Sequence, residues 1–396
     1  MLLQTWRWFG PNDRITFNEI KQTGAKGIVT ALHHIPVGEV WPVGEIMRRK
    51  ELIEASGLIW AVVESVPVHE DIKKQTGNFR IYIDNYKQTL TNLAKCGIYT
   101  VCYNFMPVLD WSRTNLIFRF QDGSEVTRFD YYFFIAFDIY ILKREGAERS
   151  YPAEAVKNAH EYFRSLSREE IEGLKKTVLL GLPGSGETIT IEQLKKKLEE
   201  YESVDKKKLK ENLSFFIREI TPVAEQEGIK LAIHPDDPPW SLLGLPRVVT
   251  SDEDIEDIIK TYDSPSNGIT LCTGSLGAGY FNDVADIAGK YSHRINFAHL
   301  RNVTRDEDLN FNENYFFEGD IDMYGIMKAL VQEEQHRIDT GRPDWQIPVR
   351  PDHGNQMLGD IGKDNYPGYS LYGRMKNLAE IRGLEIGVRS SILNRQ

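Results

Sequence analysis

The chain has 396 residues, 41% of them apolar, with 48 basic against 58 acidic side chains and a formal net charge of −10. That length and apolar content suffice for a large core, and the acidic balance argues against a nucleic-acid or anionic-membrane surface, so neither partner is expected. A small anionic substrate would need local arginines to overcome this field.

The opening stretch, Met1 to Trp8, has neither a basic region nor a long apolar run, so no signal peptide is expected. The most apolar run, residues 131–142, falls short of the roughly 20 residues a bilayer span needs. Cysteine is sparse and odd in number: Cys96, Cys102 and Cys272. This usage fits a reducing compartment and a cytoplasmic protein. Cys96 and Cys102 flank a helix-to-strand turn and read as buried structural thiols.

In chain order, a unit recurs without any sequence repeat: an amphipathic helix ends at glycine, and an apolar strand follows. Residues 51–56 stop at Gly57, 86–96 at Gly97 and 215–227 at Gly228. The predicted strands are 27–32, 59–64, 99–104, 177–182, 230–234, 269–273, 295–300 and 347–350. Eight β-branched, apolar strands linked by helices predict an α/β (β/α)₈ TIM barrel in one elaborated domain spanning 1–396. A doubly wound open sheet is the competing architecture. A long insertion, about 110–176, precedes the fourth predicted strand, and a Lys- and Glu-rich helical insertion covers about 187–215.

Four strands run into potential metal ligands: 230–233 into His234, 268–271 into Cys272, 294–298 into His299 and 346–351 into Asp352. In parallel α/β structures the carboxyl ends of the strands form the active rim. One strand-end histidine is ordinary. Two imidazoles, a thiol and a carboxylate at corresponding positions predict a site for one divalent ion, and the donor chemistry alone favours zinc or iron. His353 points away from its neighbour Asp352 and is suited to acid–base work. Arg301 and Arg350 flank ligand positions, and Arg7 sits in an aromatic run, so each is a candidate for gripping a carboxylate. His33, Asn104 and Glu64 close earlier strands at the same rim. A Tyr- and Gly-rich segment, 365–374, follows the last strand and could cover the pocket, although packing is the plainer role for Tyr366 and Tyr372. The run Gly181–Thr188 nearly fits a phosphate-binding loop, but Glu187 stands where a lysine is required, so nucleotide binding is rejected.

Several long segments resemble the D-mannonate dehydratases, over essentially the whole chain: TWRWFGPND at 5–13, GIVTALHHIP at 27–36, VVESVP at 62–67, YNFMPVLDW at 103–111, AIHPDDPP at 232–239, LCTGS at 271–275 and RPDHG at 350–354. The long insertion is similar to that of the larger, enterobacterial-type members. The resemblance implies a xylose-isomerase-like barrel, a Mn²⁺ or Fe²⁺ cofactor in place of zinc, and homodimers. It also implies loss of water from D-mannonate to give 2-dehydro-3-deoxy-D-gluconate in hexuronate (glucuronate) breakdown. It further implies His234, Cys272, His299 and Asp352 as metal ligands and His353 and Tyr369 as the proton-transfer pair in either order. The strand-end and aromatic-run positions, not the resemblance, make Arg7, His33, Asn104, Arg301 and Arg350 the candidates around the substrate. A metal-dependent sugar isomerase and a non-catalytic sugar-acid binding protein are the alternatives.

Overall fold

The structure is a computed structural model and describes residues 1–180, 189–306 and 308–393. Its strands, in chain order, are β1 (Leu3–Arg7), β2 (Gly27–Thr30), β3 (Ile59–Glu64), β4 (Thr100–Tyr103), β5 (Asn115–Arg119), β6 (Glu125–Phe129), β7 (Lys230–Ile233), β8 (Asn267–Cys272), β9 (Ile295–Leu300), β10 (Asn302–Arg305), β11 (Phe311–Asn314) and β12 (Pro348–Pro351). Eight of them close a parallel barrel in the order β1-β12-β9-β8-β7-β4-β3-β2. The remaining four form an antiparallel sheet, β10-β11-β6-β5.

The barrel confirms the predicted class, with one strand reassigned. Thr177–Leu179 end the helix Arg168–Leu179, which starts from a Ser167–Glu170 capping box, so the strand expected at 177–182 does not exist over its described residues. The rest of that span, and the Gly181–Thr188 run, lie outside the described residues. The missing barrel strand is β1, which pairs with both β2 and β12. The long insertion therefore falls between the fourth and fifth barrel strands, β4 and β7. It contains β5, β6 and several helices, and part of the segment expected at 187–215 belongs to the long helix Lys206–Glu227, which precedes β7.

The expected helix stops hold. Gly57, Gly97 and Gly228 all take positive φ just past a helix, which lets the chain turn back into the next strand. Inside the barrel, Val29, Val62, Cys102, Ala232 and Phe297 form a fully buried layer, so the interior is packed core rather than pore. A larger apolar shell lies between the strands and the surrounding helices. Register matters most for function. Cys272 on β8 pairs across to His299 on β9, and His299 pairs to Arg350 on β12, so these side chains arrive at the same level of the rim.

Candidate active site and metal centre

Five barrel strands hand the residue that follows them to the mouth: Ser65 after β3, Asn104 after β4, His234 after β7, Arg301 after β9 and Asp352 after β12. The His234 N–H still bonds to the Tyr103 carbonyl at 2.8 Å, as the last rung of β7. Its Nδ1 lies 2.7 Å from the Pro235 carbonyl, which fixes the proton on Nδ1 and turns Nε2 toward the centre. There Nε2 faces His299 Nδ1 at 3.1 Å. His234, Cys272 and His299 offer donor atoms within 4.8 Å of one another. Asp352 completes the ring: its Oδ2 is 3.4 Å from the Cys272 sulfur and its Oδ1 is 3.6 Å from His299 Nδ1.

These separations are those of neighbouring ligands on one ion with bonds of roughly 2.0–2.3 Å. His299 is wholly buried, and its Nε2 has no aligned hydrogen bond, although the Glu64 carboxylate stands 3.4 Å away. His234, Cys272 and His299 thus fit a divalent cation held by two imidazoles and a thiolate, with the Asp352 carboxylate beside two of these donors.

The arginines around this ring are differently employed. Arg350 makes a two-pronged bond to Glu64, at 3.1 and 2.9 Å, and a 2.9 Å ion pair with Asp352. Arg301 spans three carboxylates: Asp237 at 2.8 Å, Glu313 at 3.2 Å and Asp352 at 3.3 Å. Gly274 makes room for it, since a Cβ there would lie 1.9 Å from Arg301 Nε. Arg7 alone of the three has neutral partners. It donates to the Glu64 carbonyl and lies 3.1 Å from His33 Nε2. Burial, with Arg7 and Arg49 adding to it, pulls the His33 pKa down to about 3, so the ring is neutral. His34, by contrast, is exposed and paired with Glu45.

The carboxylates are ionised despite burial. Burial opposes charge on Glu64, yet Arg350 and His299 hold it well below the ordinary glutamate range. Burial likewise opposes charge on Asp352, and Arg301, His353 and Arg350 outweigh it. Asp237 is held low against burial by Arg113 and Arg301. Glu313 is brought down to about 2, against burial, by His353, Arg301 and Arg113.

His353 and Tyr369 stand together beside the four donors, with ring centroids 4.8 Å apart at 66°. Nδ1 of His353 is hydrogen-bonded to Glu313. Tyr369 is brought in by the segment after β12: Gly354 bridges to it, and the Gly354 N–H bonds to the Gly368 carbonyl at 2.9 Å. Gly368 has φ +80°, and a Cβ there would sit 2.8 Å from the His353 ring, so only glycine allows this approach. Burial raises the Tyr369 pKa to about 12, with Arg350 opposing and Asp352 and Glu64 adding to the rise. Tyr366 packs on Phe9 and does not line the cavity; neither does Tyr372, which opens the last helix.

Glu64, His234, Asp352, His353, Tyr369 and the three arginines border one cavity, lined also by Phe9, Ser65, Asn104, Asp110, Trp111 and Asp237, whereas Cys272, His299 and Glu313 are not part of its lining. Asn104 and Arg7 reach it as expected, whereas His33 sits behind Arg7 and lines a neighbouring hollow. Sequence reasoning missed Arg113, Asp237 and Glu313. Asp237 lay within the HPDD run and carried a signal. Arg113 and Glu313 lie on or beside strands outside the barrel, and nothing local marks them.

Residues 2–394 match the family described as D-mannonate dehydratase (UxuA). A mannonate dehydratase of Marinomonas sp. (strain MWYL1) is 55% identical over 98% of this chain and 99% of its own length. That of Chromohalobacter salexigens is 50% identical over 97% and 98%. Among solved structures, the mannonate dehydratase of Streptococcus suis serotype 2 superposes with a TM-score of 0.77 at 35% identity, covering 99% of this chain and 94% of that one. A xylose isomerase-like TIM barrel protein from Mycobacterium smegmatis, at 12% identity and a TM-score of 0.52, shares the fold, covering 98% and 97% of the two chains.

Proposed function

Because the chain belongs to the D-mannonate dehydratase family, and so is an enzyme that removes water from D-mannonate, we propose that His353 and Tyr369 carry its two proton transfers beside an ion held by His234, Cys272, His299 and Asp352. The isomerase and the non-catalytic binding protein give way to that membership. The family implies a divalent metal; Mn²⁺ or Fe²⁺ is our reading of which one. When bound, such an ion supplies Lewis acidity that draws off the charge developing next to the substrate carboxylate.

The observation that carries the reading is the state of the two proton carriers. His353 and Tyr369 both line the cavity, and among the described residues neither His353 Nε2 nor the Tyr369 hydroxyl makes a hydrogen bond. With Nδ1 engaged by Glu313, Nε2 has a free lone pair and takes the proton from C2. Tyr369, with its pKa pushed up to about 12, keeps its proton near neutrality and gives it to the C3 hydroxyl, which leaves as water. One carrier pulls while the other pushes, and the product is the enol of the 2-keto-3-deoxy acid.

Arg7 holds the substrate carboxylate, because it is the cavity arginine with no carboxylate of its own. Arg301 and Arg350 act through the groups they fix. Asn104 faces the sugar hydroxyls. Three buried free thiols support a reducing, cytoplasmic setting, and among the described residues no helix is long and apolar enough to cross a membrane. A homodimer belongs to the same reading.

The test is turnover of ion-loaded protein on D-mannonate, scored by the 2-keto-3-deoxy product, with H353N and Y369F alongside. Both variants should lose most of kcat while keeping their ion. Near-normal rates in both would remove the assignment.

A further inference from the structure

Glu313 does not belong to the barrel. It lies on β11, in the antiparallel sheet that joins the insertion (β5, β6) to the segment after β9 (β10, β11). Its side chain is nonetheless buried at the barrel mouth. One oxygen, Oε1, gathers three donors: His353 Nδ1, Arg301 Nη1 at 3.2 Å and Arg113 Nη2 at 3.7 Å. Arg113 is itself locked, with a two-pronged bond to Asp237 at 2.7 and 3.2 Å and its guanidinium 4.7 Å from the ring centres of both Trp111 and Phe311.

We propose that Glu313 is the positioning residue that sets the tautomer of His353, keeping the proton on Nδ1 and the lone pair on Nε2. A carboxylate between two guanidiniums only accepts hydrogen bonds, so the imidazole nitrogen facing it must donate. The neighbourhood makes the choice consequential. Arg301 Nη1 is 3.1 Å from the same Nδ1 and has no other role for an imidazole than donor. With the Glu313 carboxylate gone, Arg301 donates to Nδ1, the ring proton moves to Nε2, and the nitrogen facing the cavity can no longer accept a proton. The small sheet thereby acquires a purpose: it delivers a carboxylate that the barrel strands do not provide.

This inference rests on His353 being the base. E313A and E313Q, compared with the parent as full-length, ion-loaded proteins, should lose kcat by roughly 10²- to 10⁴-fold, the scale of a wrong histidine tautomer in other acid–base enzymes. KM for D-mannonate should move less than about threefold, and bound ion should be unchanged, since Glu313 touches neither the substrate site nor the four donors. E313D should recover part of the loss. The signature a merely structural role would not produce is the ¹⁵N spectrum of the His353 ring, assigned by difference with H353N: Nδ1–H in the parent, Nε2–H in E313A. An E313Q enzyme within threefold of the parent, or a His353 ring with the same tautomer in E313A, overturns the proposal while a dead H353N leaves the base assignment standing. A fully active H353N overturns both.

Discussion

Arg350 closes on Glu64 with two parallel bonds, and Glu64 in turn stands 3.4 Å from the outer nitrogen of His299. The carboxylate thus orients an imidazole whose inner nitrogen faces the proposed ion, a support that usually matters nearly as much as the ligands themselves. Replacing Glu64 by glutamine is expected to weaken Mn²⁺ binding about 10- to 100-fold. Calorimetric titration of the apo protein reads this directly; unchanged affinity would mean that Glu64 serves the substrate alone.

Arg7 is expected to govern substrate affinity rather than turnover. A charge-assisted bond to a carboxylate contributes about 1.5–3 kcal/mol, so R7M should raise KM for D-mannonate roughly 10- to 100-fold. Steady-state kinetics decide it. A fall in kcat at constant KM would instead place Arg7 with the groups that act only in the transition state.

Much of this site was legible beforehand, and the reason is topological. In a parallel barrel the informative residues are the ones that end strands, so His234, Cys272, His299 and Asp352 announced themselves by following short β-branched runs. Strand β1 escaped because Gln4, Thr5 and Arg7 interrupt its apolar character, although all three are buried. The segment 177–182 misled for the opposite reason: Thr177, Val178 and Leu179 suit a strand, but a capping box at Ser167 had already committed the chain to a helix. The pairing of Arg113 and Glu313 around His353 could not be read at all, since it depends on two distant hairpin segments meeting in the second sheet.

Gly368 links the backbone to the chemistry. G368A would place a methyl 2.8 Å from the His353 ring in a region of φ that alanine resists. The expected result is a destabilisation of about 1–2 kcal/mol by denaturant titration and a kcat loss of at least about 10²-fold from displaced proton carriers. Stability loss without any kinetic change would show that the ring tolerates the shift.

Away from the site, Asp344 provides a pH marker. Burial opposes its charge, but Arg342, Lys230 and Arg337 bring its pKa down to about 2. A carboxyl with a depressed folded pKa stabilises above its unfolded value, near 3.9, and that stability is lost as pH falls toward the folded one. The parent should therefore lose on the order of 2 kcal/mol from this group between about pH 4 and pH 2. D344N should be less stable at pH 7 by a similar amount and flatter across that window. Parallel urea curves for the two proteins at every pH would contradict the assignment.

The account depends above all on a single ion meeting four donors drawn from four strand ends. Crystals of the protein soaked in Mn²⁺, measured at the manganese edge, should give one anomalous peak within bonding distance of His234 Nε2, His299 Nδ1, the Cys272 sulfur and an Asp352 oxygen. A peak that leaves Cys272 out of reach, or none at this position in a protein that still dehydrates D-mannonate, would contradict it.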